Sequence, residues 1–200
     1  MTAAARVRRA RSEEAVRLVP ALADVLIACV DAGASVSFMH PLSRDRAEAF
    51  WRVVVDGVGR GDRILLVAED EAGIVVGTVQ VLLSMPENQP HRGEIAKLLV
   101  HPRARRRGIA ARLMDAADEA ARGAGKSLLV LDTVTGGDAE RLYPRLGWQR
   151  CGVIPDFALW PRGGFCATTF FYKALASPAT GGGPQRSDVG GDPGRGAAPA

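Results

Sequence analysis

The sequence predicts an α/β fold (α+β by some conventions), with a mixed central sheet of about six to seven strands and helices on both faces. Three observations predict it. Apolar residues recur at helical spacing in the first part of the chain. Strand-like segments then follow one another through the middle without a helix between them. Beyond that point helices and strands alternate. The chain has 200 residues, 47% of them hydrophobic, which suffices for one domain with its own core.

Arg6–Ala10 reads as a short first strand. Ser12, followed by Glu13 and Glu14, reads as an N-cap with favourable first-turn charge. The helix it opens is expected to break at Pro20 and run on through Cys29. Gly33–Met39 reads as a loop with hydrophobic tips. Ser43 caps a second helix whose Ala47, Phe50, Trp51, Val54 and Val58 form one stripe, ended by Gly59 and Gly61. Ile64–Ala68 and Ile74–Leu83 are strands joined by a reverse turn over Glu69–Gly73, hence a hairpin. A proline-containing loop, Met85–Gly93, leads to the strand Glu94–Val100, closed by His101-Pro102. The helix from Gly108 to near Arg122 places Ile109, Leu113, Ala116, Ala117 and Ala120 on one face. The apolar run Leu128–Leu131 predicts a strand covered on both faces. A short helix over Asp138–Leu146 stops at Gly147, and Trp148–Ile154 and Thr168–Lys173 supply the last strands.

Composition narrows the function. Residues 1–175 read as the folded domain. Residues 176–200 are rich in Gly and Pro with scarcely a large apolar side chain, which predicts a disordered tail. Cys29, Cys151 and Cys166 are odd in number and in no paired spacing, so neither a disulfide framework nor a zinc site is expected. His40, His91 and His101 show no ligand spacing, and no metal is expected. The Arg-rich start lacks an apolar signal region, and no run long enough to span a membrane occurs. A cytoplasmic protein without membrane contact is the expectation. The net charge of +4 is concentrated locally, with Arg103, Arg105, Arg106 and Arg107 within five residues. Such a cluster suits a compact anion better than a long phosphate backbone. The helix that follows carries Asp115, Asp118 and Glu119, which argues against a nucleic-acid partner.

The most informative stretch joins the strand Leu98-Leu99-Val100 to a helix through His101-Pro102-Arg103-Ala104-Arg105-Arg106-Arg107-Gly108-Ile109-Ala110. The first turn of a helix presents unpaired N–H groups and partial positive charge. Gly108 and Ala110 leave room for phosphate oxygens to reach those donors, and the arginines add charge-assisted bonds. The pattern Arg-x-x-Gly-x-Ala after a strand resembles the acyl-CoA signature of the GNAT superfamily of N-acyltransferases. The resemblance implies that Arg105, Arg106, Arg107, Gly108, Ile109 and Ala110 hold the pyrophosphate of acetyl-CoA. It also implies that the backbone of Leu98, Leu99 and Val100 pairs with its pantetheine arm.

Acetyl transfer to an amine requires loss of an amine proton, stabilisation of an oxyanion and protonation of a leaving thiolate. Tyr143, in Tyr143-Pro144-Arg145-Leu146-Gly147-Trp148, resembles the family's tyrosine that faces the CoA sulfur. A phenol titrates near 10 and a thiol near 8.5, so a phenol suits proton donation to a nascent thiolate. Leu142 and Leu146 are expected to form the core face, leaving Tyr143 free to point elsewhere, and Pro144 disfavours helical geometry at Tyr143. Glu94 and Asp132 stand at strand ends, where either could accept the amine proton or bind a cationic substrate.

Further segments are similar to the tabtoxin-resistance type of acetyltransferase: Gly33-Ala34-Ser35-Val36-Ser37-Phe38-Met39, Glu94-Ile95-Ala96-Lys97-Leu98-Leu99-Val100 and Leu129-Val130-Leu131-Asp132-Thr133. That resemblance implies a small amine or amino acid as acceptor, toxin resistance as a role, and Phe38 as a wall of the acceptor pocket. Acetylation of a peptide or protein amine is the alternative, and a homodimer is left open.

Overall fold

The computed structural model describes residues 5–175, so the tail expected over 176–200 lies outside the described residues. Seven strands, β1 (Arg6–Arg9), β2 (Arg63–Glu69), β3 (Val75–Leu82), β4 (Arg92–Val100), β5 (Leu128–Val134), β6 (Gln149–Leu159) and β7 (Phe165–Ala174), form one sheet. Their spatial order is β1-β2-β3-β4-β5-β7-β6. All neighbours are antiparallel except β4 and β5. That parallel pair needs a crossover, which the helix α3 (Ile109–Gly123) provides. The predicted mixed α/β architecture is therefore the observed one.

Two apolar layers sandwich the sheet. On one face α1 (Ser12–Asp31) and α2 (Arg44–Gly59) bury Leu22, Leu26, Trp51 and Val54 against Leu65 and Val67. On the other, α3 buries Ile109, Leu113 and Met114 against Ile64, Leu66, Val79 and Leu129. Alternate strand residues thus serve opposite layers, as strand pleating requires.

Several local expectations change. Pro20 does not break α1, which runs unbroken through it. Val16, one turn earlier, is exposed, so water can take the carbonyl that Pro20 cannot serve. The residue preceding α1 is Arg11, whose side chain makes no capping bond, and Ser12 is already helical. The first-turn acids remain useful, because Glu14 pairs with Arg8 of β1. In α2 the expectation holds: Ser43 Oγ accepts from the Arg46 amide at 3.4 Å. β5 is covered on one face only, with Leu129 and Leu131 buried and Val130 half-buried. β6 and β7 extend beyond their predicted ends to Leu159 and back to Phe165.

Two contacts fix α3. A Cβ on Gly77 of β3 would meet Leu99 O at 3.0 Å and Leu113 Cδ1 at 3.2 Å, so the missing side chain lets α3 lie close on the sheet. Lys173 of β7 reaches across to Asp118 of α3 and donates to Leu146 O at 2.6 Å. Asp118 is 5% exposed. Replacing it by Ala strands a largely buried ammonium group, and Asp118→Ala is expected to cost about 3 kcal/mol. Urea denaturation checks this; a loss below about 1 kcal/mol, the ceiling for exposed pairs, would show that water already serves Lys173.

Candidate active site

β4 and β5 pair over only three positions, Arg92↔Leu128, Gly93↔Leu129 and Glu94↔Val130. Further along, β4 keeps β3 and β5 keeps β7, and the two strands part. From Ile95 onward one edge of β4 therefore has no strand beside it, and backbone donors and acceptors along such an edge call for a partner. A bulge lies at the same place. Gln80 opposes Ala96 and Thr78 opposes Leu99, so Val79 alone faces both Lys97 and Leu98. Lys97 takes a left-handed φ of 51° to accommodate the extra residue. Consequently Ile95 joins the α3 layer and Leu99 the α1–α2 layer, although four residues of regular strand would put them on one face.

The divergent edge runs into the basic turn. A 3₁₀ turn, Pro102–Ala104, is started by His101, whose Nδ1 accepts from the Arg103 amide at 3.2 Å. Arg106 (φ 64°) and Gly108 (φ 71°) are both left-handed, and Gly108 caps α3 without any side-chain hydrogen bond. A turn of this kind leading into an uncapped helix leaves amide N–H groups for an anion. A Cβ on Gly108 would meet nothing within 4 Å, so glycine serves there for its backbone angle. The Ile109 side chain is buried in the core, which leaves only its amide for ligand contact, and Ala110 is half-buried.

The arginines divide. Arg106 and Arg107 are exposed. Arg105, exposed as well, folds back, donating from Nε to Val100 O at 3.2 Å, the carbonyl that Cys29 Sγ also approaches at 3.4 Å. Burial pushes the Cys29 thiol up, with the Arg105 guanidinium opposing it. Val100 O is thus already occupied.

On the acceptor side Lys97, Glu94 and Asp132 are close enough to influence one another electrostatically. Asp132 keeps an open side to solvent, yet enough protein surrounds its carboxyl for desolvation to raise its pKa, with Lys97 opposing. Desolvation lowers the pKa of Lys97, opposed by Asp132 and then Glu94. Lys97 Nζ donates to Ser37 Oγ at 3.0 Å and stands 5.8 Å from the Phe50 ring centroid. Phe38 and Phe50 form a T-shaped pair with ring centroids 5.2 Å apart. The loop bearing Ser37 and Phe38 is tied across to the β6–β7 hairpin. Ser35 Oγ donates to Leu159 O at 2.8 Å and the His40 amide to Pro161 O at 2.8 Å.

Tyr143 corrects the expected packing. It is itself the core residue, 4% exposed, with ring centroids 5.5 Å from Phe171 and 6.0 Å from Trp148, while Leu142 is half-buried. The α4 helix (Asp138–Leu142) gives way at Tyr143 to a 3₁₀ turn, Tyr143–Leu146, which admits Pro144 near its start. Tyr143 keeps a helical backbone all the same. Burial, then the charge of Asp132, raises the phenol well above its ordinary pKa, so it stays protonated.

The acetyltransferase (GNAT) domain family matches residues 61–150. An N-acetyltransferase encoded between hisH and hisA in Azospirillum brasilense, described as uncharacterized, is 32% identical over 151 residues, 72% of this chain and 86% of that protein. The chain belongs to the GNAT family of N-acetyltransferases. Solved GNAT-type structures share its fold. A phosphinothricin acetyltransferase from Sinorhizobium meliloti, in complex with AcCoA, superposes with a TM-score of 0.72 at 20% identity, covering 94% of this chain and 95% of that one. An N-acetyltransferase from Staphylococcus aureus superposes at 0.71 and 19% identity, covering 87% of this chain and all of that one.

In this GNAT domain β4 and β5 part just past Glu94, with Asp132 farther along β5, Leu98–Val100 farther along β4, and the turn before α3 following the end of β4. Lys97, Ser37 and the bulge are what sequence reading missed. The available signal was one ammonium group inside the otherwise apolar run Ile95–Val100. Because Lys97 lowers and burial raises the Asp132 pKa, Lys97→Met is expected to raise it further. Carboxyl-carbon NMR titration of labelled protein checks this; an unmoved Asp132 midpoint would show that the two groups are not coupled.

Proposed function

We propose that the chain is an acetyl-CoA-dependent N-acetyltransferase whose acceptor is a small amine or amino acid, attacked directly rather than through an acyl-enzyme. One observation carries this reading. The open edge of β4 points along its length to a turn with two left-handed residues and an uncapped helix, an arrangement suited to an extended amide-bearing arm ending in a diphosphate. The residues fit that group. Amides of Arg106–Ala110 would meet the diphosphate, the exposed Arg106 and Arg107 would add charge, and the Leu98–Leu99 backbone would pair with the arm.

Acetyl-CoA, when bound, supplies an activated thioester carbonyl. The chain's own groups then manage protons. Asp132, with its raised pKa, or Glu94 takes a proton from the incoming amine, directly or through water. Tyr143, kept neutral by burial, offers its phenolic proton to the departing thiolate. A packing role against Trp148 and Phe171 competes with that assignment, and Tyr143→Phe separates the two because phenylalanine preserves the packing. As a donor, Tyr143 gives a loss in kcat on the order of 10²-fold with KM little changed; full activity in the variant would leave it a core residue.

A small acceptor is supported by the strap of loop from Ser35 to His40, fastened to the β6–β7 hairpin beside the cleft. Detoxification of an antibiotic-like amine, in a reducing cytoplasm where Cys29, Cys151 and Cys166 stay free, accords with this reading. Thiol release from acetyl-CoA against free amines and against peptides distinguishes it from peptide acetylation. Calorimetry tests the donor site. Arg106→Glu and Arg107→Glu are each expected to weaken acetyl-CoA binding on the order of tenfold or more, and unchanged binding in both would move the site elsewhere.

A further inference from the structure

Lys97 is the group in the cleft that the scheme above leaves without a task. It enters through the bulge, with the left-handed φ of 51° that such a residue seldom adopts. Its ammonium group is held from one side by Ser37 Oγ at 3.0 Å and backed by the Phe50 ring at 5.8 Å. Ser37 is in turn placed by the loop whose Ser35 and His40 are fastened to the β6–β7 hairpin. Among the described residues no carboxylate comes within 4.0 Å of Lys97, although Glu94 and Asp132 both lie within electrostatic reach. A lysine ammonium has three donors, of which one is used here. A partly buried cation with spare donors, fixed from behind and facing an open cleft, is built to receive an oxyanion.

We propose that Lys97 is a specificity-determining residue that binds an anionic group of the acceptor, a carboxylate in the simplest case, so that the enzyme selects zwitterionic amines over simple ones. The inference rests on the small-acceptor reading and deepens it. Asp132 stands on β5 and Lys97 on β4, with Glu94 three positions before Lys97 on the same strand. Asp132 and Glu94 attract the acceptor's ammonium end before it gives up its proton, while Lys97 takes the carboxylate. With both ends held, the nitrogen is oriented as well as bound, and a neutral analogue forfeits the orientation along with the ion pair. The substrate class is an α- or β-amino acid, or a compound that presents an amine and an oxyanion at similar separation.

The test compares amino acids with their carboxamides, which differ at the acceptor's anionic end. Each variant is referred to wild type on the same acceptor, so the different amine pKa values cancel. In Lys97→Met, kcat/KM is expected to fall roughly tenfold to a hundredfold more for the amino acid than for the carboxamide, the excess chiefly through KM, while any loss common to both acceptors reports the effect of Lys97 on Asp132. Lys97→Arg should restore much of the loss, and Lys97→Glu should favour diamines. Acetyl-CoA affinity and thermal midpoint, measured on each variant, show that the fold and the donor site are intact. Equal losses on amino acid and carboxamide would overturn the proposal, leaving Lys97 a structural or proton-transfer group. Acetylation of Lys97 itself, seen by mass spectrometry as the main product, would overturn it too. Turnover of peptides but of no free amine, with acetyl-CoA still bound, would overturn the small-acceptor reading and this inference with it. Wild-type turnover of free amines with no preference for those that carry a carboxylate would sink this inference alone.

Discussion

The parting of β4 from β5 is the constraint on which the rest of the molecule depends. Three paired positions hold the strands together at one end. Past them β4 stays with β3 and β5 with β7, and the edges that the two strands turn toward each other are left without a partner strand. The crossover helix then has to begin where β4 ends, because a parallel pair is joined by a crossover that starts at the C-terminal end of its first strand. An opened strand edge and a helix N-terminus are thereby brought together by topology. Gly77, by letting α3 settle on the sheet, and the Asp118–Lys173 pair, by tying α3 to β7, keep that conjunction in place.

The bulge at Lys97 completes what the divergence begins. In a regular strand, Ile95 and Leu99 would crowd one layer and leave the other short of a core residue. The added residue switches faces in mid-strand, so both layers are served. It also brings the Lys97 ammonium group to Ser37 and the Phe50 ring. One backbone irregularity thus accounts for the core, the open edge and the placed ammonium group together.

Most of the fold was legible because its signals are periodic or local. The stripe from Ala47 to Val58, the Ser43 cap and the hairpin turn at Glu69–Gly73 are set by neighbours in sequence. The turn from Arg103 to Ala110 was legible for a similar reason, since its small residue and charges lie within one loop. What escaped depends on distant partners. Pro20 could stay helical because Val16 faces water, which only the packing of α1 decides. Tyr143 became a core residue because Phe171 and Trp148 arrive from β7 and the start of β6, whereas local spacing favoured Leu142. Leu128–Leu131 looked doubly covered because four apolar residues in a row say nothing about which helices reach them. Lys97 was hidden because a bulge depends on register between strands, and register is not written in either strand alone.

The charge pattern of the cleft follows from what the reaction requires of an amine. Two carboxylates alone would gather cations and also hold them protonated, since nearby negative charge raises the pKa of an ammonium group, and a protonated amine has no lone pair to offer. Desolvation of Asp132 compounds the difficulty by drawing its own pKa upward. A cation set among them changes both terms. Lys97 opposes the desolvation that raises the Asp132 pKa, and on the reading proposed above its positive potential would favour the uncharged amine. The same ammonium offers an acceptor's carboxylate a partner, which restores the binding energy that a weaker attraction for the amine end gives up. On the proposed reading attraction and deprotonation pull against each other at Asp132, and Lys97 tempers the first while taking the acceptor's anionic group.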